Sequence, residues 1–398
     1  MTPLVWITPK WPLPADDGAR QATFHLLAAL TAKGVSVDLH AIVPEDAVVD
    51  PDEAVAELGV RSARILRRPN PGPGLHLRNL VRDPTRALTL SQYVTREVRA
   101  ALQQAAARPG VTVVFDGLHA AAWVRDAAND VAAPIVYRAH NVESDIWFRA
   151  AETRAVVASD LLRWQGRAVR RFEASLCGAA DLVCTVSDSD TARLHELAPT
   201  ANLLTLPIGV AAKPLRTTPP REDHILFVGR LDWPPNRDGL QWFLERVWPR
   251  VTRPLTLTIA GSGDGGWIKA HLSDPRIRFV GRVESLTPYY HESVLSLVPV
   301  FYGSGTRVKA IESSLYGTSC LGTELGVEGI GLDPDHDYLR AESEDEWVNA
   351  LNGLRPSDAV ARGRSALRRV MARYDRDRVA DEFIRVVQER IEGQRYVA

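Results

Sequence analysis

The chain has 398 residues, 45% of them hydrophobic, with 27 Gly and 26 Pro; that is too much for one compact core and suits two domains of somewhat under ~200 residues each. Charged residues make up 24%, and 48 Lys plus Arg against 49 Asp plus Glu leave a net charge of -1, which excludes a bulk electrostatic footprint for nucleic acid. Only Cys177, Cys184 and Cys320 are present, an odd, widely spaced set that fits reduced buried thiols better than a disulfide framework or a zinc site.

In chain order, β-rich apolar runs alternate with longer helical patterns, the signature of a parallel sheet with crossover helices. The pattern predicts a first strand over 4–7, a loop rich in Pro, Asp and Gly, and a helix over 20–33 closed by Gly34. Further strands are expected over 35–43, 64–66, 111–115, 135–138, 182–185 and 203–206, with helices over 89–107, 119–128, 143–177 and 188–197. Residues 1–207 thus read as one doubly wound domain. The Pro-, Gly- and Thr-rich stretch 208–222 reads as a linker. A second alternating series fills 223–375, with strands over 225–228, 255–260, 277–280, 294–298 and 319–322. Its helices are expected over 239–248, 266–272, 286–292 and 307–316, and a charged helical tract follows over 344–394 with Pro356 as a break. The last helix, 376–398, is expected to pack back toward the first domain. No apolar run approaches the length of a spanning helix, and residues 1–14 lack the marks of a signal peptide, so the chain reads as cytoplasmic.

Facing doubly wound domains hold ligands in a cleft at the C-terminal ends of their strands, so the loops after strands carry the candidate chemistry. Gly303-Ser304-Gly305-Thr306 follows an apolar strand and opens a helix, where free N–H groups suit a diphosphate. Arg307 and Lys309 add full charges there, and Glu312 can accept hydrogen bonds from two vicinal hydroxyls of a ribose; an ordinary loop with a solvated Glu and Lys has the same spacing. Gly229-Arg230 follows the first strand of the second domain, so Arg230 should project toward the cleft and clamp phosphate oxygens, although a surface Arg in a turn also fits. Gly261 marks another glycine turn. In the first domain, Gly18 lies in a loop whose backbone can approach a phosphate or sugar. His140 follows a strand, where it can bond a sugar hydroxyl or serve a structural role. Asp188-Ser189-Asp190 superficially resembles a metal site, but a helix cap by Ser187 or Asp188 explains it better. No dinucleotide fingerprint, Walker motif or acyl-transfer elbow is present.

Taken in order, these motifs resemble the retaining, sugar-nucleotide-dependent glycosyltransferases of glycosyltransferase family four. The resemblance covers nearly the whole chain: the Gly18 loop, His140-Asn141-Val142-Glu143, residues 180–187, Phe227-Val228-Gly229-Arg230, Ile259-Ala260-Gly261 and Gly305 to Glu312. It implies the α/β GT-B fold of two facing Rossmann-like domains, transfer from a nucleotide diphosphate sugar with retention, and no required metal or cofactor. It further implies Arg230 on the donor diphosphate, Glu312 on the ribose, Gly18 near the diphosphate, His140 beside the donor sugar and Val283 where the base is read. Asp17, Arg20, Asn141 and Glu143 are candidates for acceptor contacts. Three departures stand out. Ser304 occupies the place of the family's first motif Glu, Pro235 and Asn236 replace a Lys, and the linker reads Pro207-Ile208-Gly209 where the family usually has Pro-Asn-Gly. Lys309 and Arg307 would then supply the missing charge.

The first domain normally holds the acceptor, and here carries Arg61, Arg64, Arg67, Arg68, Arg78, Arg82 and Arg86 against one acid, Asp83. Such a run could contact anionic lipid headgroups at the inner face of a membrane or a diphosphate-linked acceptor, or be a solvated surface. The expected partners are a UDP- or GDP-sugar donor and a glycan or lipid-linked acceptor, as in surface polysaccharide or glycoconjugate assembly. Two alternatives stay open: transfer to a small secondary metabolite, and a catalytically silent sugar-nucleotide-binding or scaffold protein.

Overall fold

Two parallel sheets form among the residues that the computed structural model describes, 1–15, 18–70, 72, 87–124, 131–152, 156–302 and 308–393. The first comprises β1 (Leu4–Thr8), β2 (Val37–Pro44), β3 (Ser62–Arg68), β4 (Thr112–Asp116), β5 (Ile135–Ala139), β6 (Leu182–Thr185) and β7 (Leu203–Thr205), in the order β3-β2-β1-β4-β5-β6-β7. Its inner strands β1, β4, β5 and β6 are buried at every position. Near-continuous Val, Ile and Leu runs are what a parallel sheet covered on both faces requires.

The first crossover helix, α1 (Gly18–Ala32), stops where the sequence places its stop. Gly34 adopts φ 80°, and Val35 N donates to Leu30 O at 3.0 Å, the closure that a left-handed glycine permits. A helix the sequence reading lacked follows: α2 (Pro51–Leu58), capped by Asp50, which accepts from Asp52 N, and ended by Gly59 at φ 65°. The expected helix over 89–107 is two pieces, a turn at Leu88–Ser91 and α3 (Arg96–Ala106), because Thr95 caps the second by accepting from Val98 N at 3.0 Å. Of the helix expected over 119–128 there is a short turn at Leu118–Ala121, and 125–130 lie outside the described residues. The stretch 143–177 forms α4 (Glu143–Glu152) and α5 (Val156–Ala179). Ser187 caps α6 (Asp188–Leu197) by accepting from Asp190 N.

The second sheet comprises β8 (Arg221–Val228), β9 (Thr256–Ala260), β10 (Ile277–Gly281), β11 (Ser293–Val298), β12 (Ser319–Gly322) and β13 (Leu339–Arg340), in the order β10-β9-β8-β11-β12-β13. β8 begins inside the stretch read as linker, and β13 is too short to show a period. Its helices are α7 (Pro234–Trp242), α8 (Thr287–Glu292), α9 (Val308–Leu315), α10 (Glu344–Asn352) and α11 (Pro356–Tyr374), and α12 (Arg376–Val387) follows them in the chain. α7 starts five residues before the expected 239 because Pro234 and Pro235 occupy its first turn, where a missing N–H costs nothing.

The chain divides into two compact units, Met1–Val210 with Arg376–Ala398, and Ala211–Asp375. In the first, α12 buries Val379, Phe383 and Val386 in the same core as β1 and α1, with the Phe383 ring 6.2 Å from that of Trp6. The second is centred on Phe227, Leu257, Leu295 and Trp347. Each sheet reverses its winding once, between β1 and β4 and between β8 and β11, and the C-terminal ends of strands beside such a point are where open α/β sheets receive ligands.

Candidate functional site

In the first unit the C-terminal edge of the sheet is organised around Asp116, the last residue of β4, which is fully buried. Its Oδ1 accepts from Arg138 Nη1 at 2.8 Å and lies 2.7 Å from His140 Nε2. Its Oδ2 accepts from Trp6 Nε1 at 3.1 Å and Thr23 Oγ1 at 2.5 Å. Burial pushes the Asp116 carboxyl up, but the charges of His140 and Arg138 and the bonds from His140 and Thr23 outweigh it and hold the group well below the usual carboxylate range. Asp116 therefore stays ionised, so His140 Nε2 carries the proton and Nδ1 is left for other work. The His140 side chain is mostly buried, just past the end of β5.

The same hub ties down the start of α1. Thr23 bonds Asp116, Arg138 Nη2 donates to Ala22 O at 3.2 Å, and Arg20 Nε donates to Trp11 O at 3.1 Å. Gly18 is the exposed first residue of α1, and Asp17 lies outside the described residues. Asn141 and Glu143 follow His140 at the start of α4. The Glu143 carboxyl is pushed up to about 7 by burial and by Glu173, against the pull of Asn141 and Lys10. Glu173, buried on α5, accepts from Glu143 N at 2.8 Å, Ser144 N at 3.2 Å and Ser144 Oγ at 2.8 Å. It caps α4 from another helix, and burial still pushes it up to about 6. Neither Asp116 nor Glu173 was a sequence candidate. An acid closing an apolar strand before a glycine was a usable signal for Asp116; Glu173 carries none, since its partners are 29 and 30 residues away.

Of the basic run, Arg61 Nε donates to Asp38 Oδ1 at 2.8 Å, and Arg67 Nη1 donates to the carbonyls of Pro44, Glu45 and Ala47. These two brace the sheet edge instead of forming a free cationic face. Arg78, Arg82 and Arg86 lie outside the described residues.

In the second unit Gly229, Gly261 and Lys309 come together. A Cβ on Gly261 would stand 1.8 Å from Gly229 O, and a Cβ on Gly229 would stand 2.6 Å from Lys309 Nζ. Backbone requires glycine at 261, whereas a side chain at 229 would have to displace the ends of Lys309 and Asn236. Lys309 Nζ is sealed from solvent, has no hydrogen-bond partner among the described residues, and sits 4.3 Å from the Phe227 ring centroid. A cation–π contact contributes about 0.5–2 kcal/mol, less than the several kcal/mol of desolvating an ammonium. Burial accordingly lowers the Lys309 pKa to about 7, so the full charge expected from sequence is only partly present at neutral pH. Arg230 is exposed and forked onto Asp232, with Nε to Oδ1 at 3.1 Å and Nη2 to Oδ2 at 2.8 Å. Asn236 Nδ2 donates to Arg230 O at 3.0 Å and so fixes the backbone of that loop.

Glu312 stands three residues beyond Lys309 and so shares its helix face. It is half-buried, not solvated; burial pushes its carboxyl up, with Lys213 and Tyr290 drawing it back. The Tyr290 ring stacks on Tyr316 at 4.5 Å beneath it. Val283 is half-buried in the loop after β10. Ser304, Gly305, Thr306 and Arg307 lie outside the described residues. Among the described residues no group of His, Cys, Asp and Glu could hold a metal ion, and no helix is long and apolar enough to cross a membrane.

A family model described as "Glycosyl transferase 4-like domain" matches residues 17–209, and one described as "Glycosyl transferases group 1" matches residues 222–355. Among solved structures the chain is similar to sucrose-phosphate synthase from Thermosynechococcus elongatus, at 17% identity and TM-score 0.71 over 98% of this chain and 99% of that one. It is also similar to Anabaena HepE in complex with UDP and glucose, at 12% identity and TM-score 0.68 over 98% and 100% of the two chains. A curated relative, an "Uncharacterized 44.6 kDa protein in cps region" of Klebsiella pneumoniae, is 28% identical over 133 residues, 30% of this chain, and the match spans only 34% of that protein's length. With the two domain models matched in order and the two-sheet architecture shared along its length, the chain carries both domains of a glycosyltransferase of the GT-B fold.

Proposed function

We propose that this protein is a retaining glycosyltransferase that moves a sugar from a nucleotide diphosphate sugar, UDP- or GDP-linked, to a glycan or lipid-linked acceptor in surface polysaccharide or glycoconjugate assembly. The observation that carries this reading is Lys309: an unpartnered ammonium sealed above two glycines at the C-terminal edge of a sheet is an unmet demand for an anion. A donor diphosphate meets it, returns the lysine to full charge, and is offset as a leaving group without a metal ion. Arg230, once released from Asp232, and Arg307 add to that charge. The backbone of Gly229 and Gly261 approaches the same group, the sequence motif assigns Ser304, Gly305 and Thr306 to it as well, Glu312 takes the ribose hydroxyls, and Val283 serves the base.

The first unit supplies Gly18 and His140, the latter oriented by Asp116 with Nδ1 available to the donor sugar. Asp17, Arg20, Asn141 and Glu143 serve the acceptor. The relative encoded in a cps region and the UDP-bound HepE structure support the pathway class and the donor class respectively. A thermal-shift screen of UDP-, GDP-, ADP- and TDP-sugars tests the donor assignment, because selective binding to the folded state raises its melting temperature. One nucleotide series should shift the transition, and a flat screen overturns the reading.

A further inference from the structure

Arg68 ends β3 at the same C-terminal edge as Lys10, His119 and His140, and is only 8% exposed. A guanidinium grips an oxyanion best through its Nε/Nη2 edge, which offers two parallel N–H groups. In Arg68 both hydrogen bonds leave from the other nitrogen: Nη1 donates to Pro69 O at 3.2 Å and to Gln92 Oε1 at 3.3 Å. The buried Nε has no hydrogen-bond partner among the described residues. Among the described residues no carboxylate pairs with it, whereas Arg61 is paired with Asp38.

The guanidinium lies 4.6 Å above the Tyr93 ring, which also packs against His119 with centroids 5.2 Å apart. Burial first, and then the charges of Arg68 and Lys10, push the His119 pKa down to about 4, so positive potential converges there. The carboxyl facing this cluster, Glu143, is itself pushed up to about 7 and offsets only part of a charge.

We propose that the Nε/Nη2 edge of Arg68, beside Lys10 and His119, receives a phosphoryl group of the acceptor. This rests on the reading of the first unit as the acceptor side, and it narrows that acceptor to one carrying a phosphate or diphosphate. The site accepts the oxyanion whether it comes from a lipid-linked diphosphate or from a soluble phosphorylated sugar. Neutral glycans leave the guanidinium fork unfilled.

Calorimetric titration of the full chain with inorganic pyrophosphate tests it, using the wild type, Arg68→Gln, Lys10→Gln and Lys309→Met. The Lys309 variant removes the donor-side anion demand, so pyrophosphate heat that survives in Lys309→Met and disappears in a Lys309→Met/Arg68→Gln double variant belongs to Arg68. The expected result is at least a tenfold weaker affinity for Arg68→Gln and a several-fold weaker one for Lys10→Gln, which being exposed leaves the fold unaffected. Repeating the titration with a short-chain polyprenyl diphosphate and with a hexose 1-phosphate separates the lipid-linked from the soluble source. Pyrophosphate affinity in the Lys309→Met background that neither Arg68→Gln nor Lys10→Gln alters overturns the site. A wild type that binds no nucleotide sugar while this heat stays intact would instead overturn the donor reading alone.

Discussion

Lys309 is a buried lysine that no acid faces among the described residues, with the Phe227 ring as its near neighbour. A lysine whose pKa falls on folding holds fewer protons in the native chain than in the unfolded one, so stability rises with pH between about 7 and 10. Between pH 7 and pH 9 that gain is about 2 kcal/mol. Lys309→Met removes both the buried charge and the gain. Urea denaturation at the two pH values should show the variant at least as stable as wild type at pH 7, with a pH slope smaller by that amount. Donor binding should be lost. A variant less stable at pH 7 would show that the ammonium has a structural partner after all.

At the scale of elements, helix α7 and the residue that follows strand β11 approach so closely that a Cβ on Gly239 would lie 1.7 Å from Pro299 O. Ala favours a helix interior over Gly by about 1 kcal/mol, but a collision with backbone cannot be relieved by a rotamer change. Gly239→Ala should therefore destabilise by at least about 3 kcal/mol, measured as a shift in denaturation midpoint at unchanged m-value. The junction of α4 and α5 carries a second prediction. Glu143 and Glu173 hold protons in the native state up to about pH 7 and 6, whereas the unfolded chain loses them near 4.5. Their contribution is present at low pH and declines as pH rises through those values, by on the order of 3 kcal/mol from pH 5 to pH 8. A Glu143→Gln/Glu173→Gln double variant should flatten that decline, and an unchanged slope would place the pH sensitivity elsewhere.

These elements also show where pattern reading works and where it stops. The buried strands were legible because a doubly covered parallel sheet leaves apolar runs in the text, and Gly34 marked the end of α1 for a stereochemical reason. Helix α2 was missed although Asp50, Pro51 and Gly59 mark both its ends, because its eight residues are too few for a helical period to emerge. β13, with two residues, offers none at all. Within the candidate site, Gly229, Gly261, Lys309 and Glu312 were legible from post-strand spacing. The sealing of Lys309, the fork of Arg230 on Asp232 and the four donors converging on Asp116 were not, because each depends on which distant side chains fold to the same place. Thr23 and Trp6 reach Asp116 across 93 and 110 residues.

At the scale of the whole molecule, two separately cored units are strung so that the chain leaves the first near Val210, builds the second, and returns to the first at Arg376. Arg376 N donates to Val210 O at 3.0 Å, so the exit and return of the chain are tied at one point. The near-zero net charge conceals local basic groups at Lys309 in one unit and Arg68 in the other, each buried and, among the described residues, without a carboxylate partner. The most direct test of nucleotide-sugar chemistry is release of nucleoside diphosphate from the donor identified by thermal shift, followed by phosphorus NMR with and without acceptor. Wild type should release it, faster with a phosphate-bearing acceptor, and Arg230→Ala and Glu312→Ala should reduce the rate at least a hundredfold. A donor that binds and is never turned over across glycan, lipid-linked and small-molecule acceptors would contradict the account.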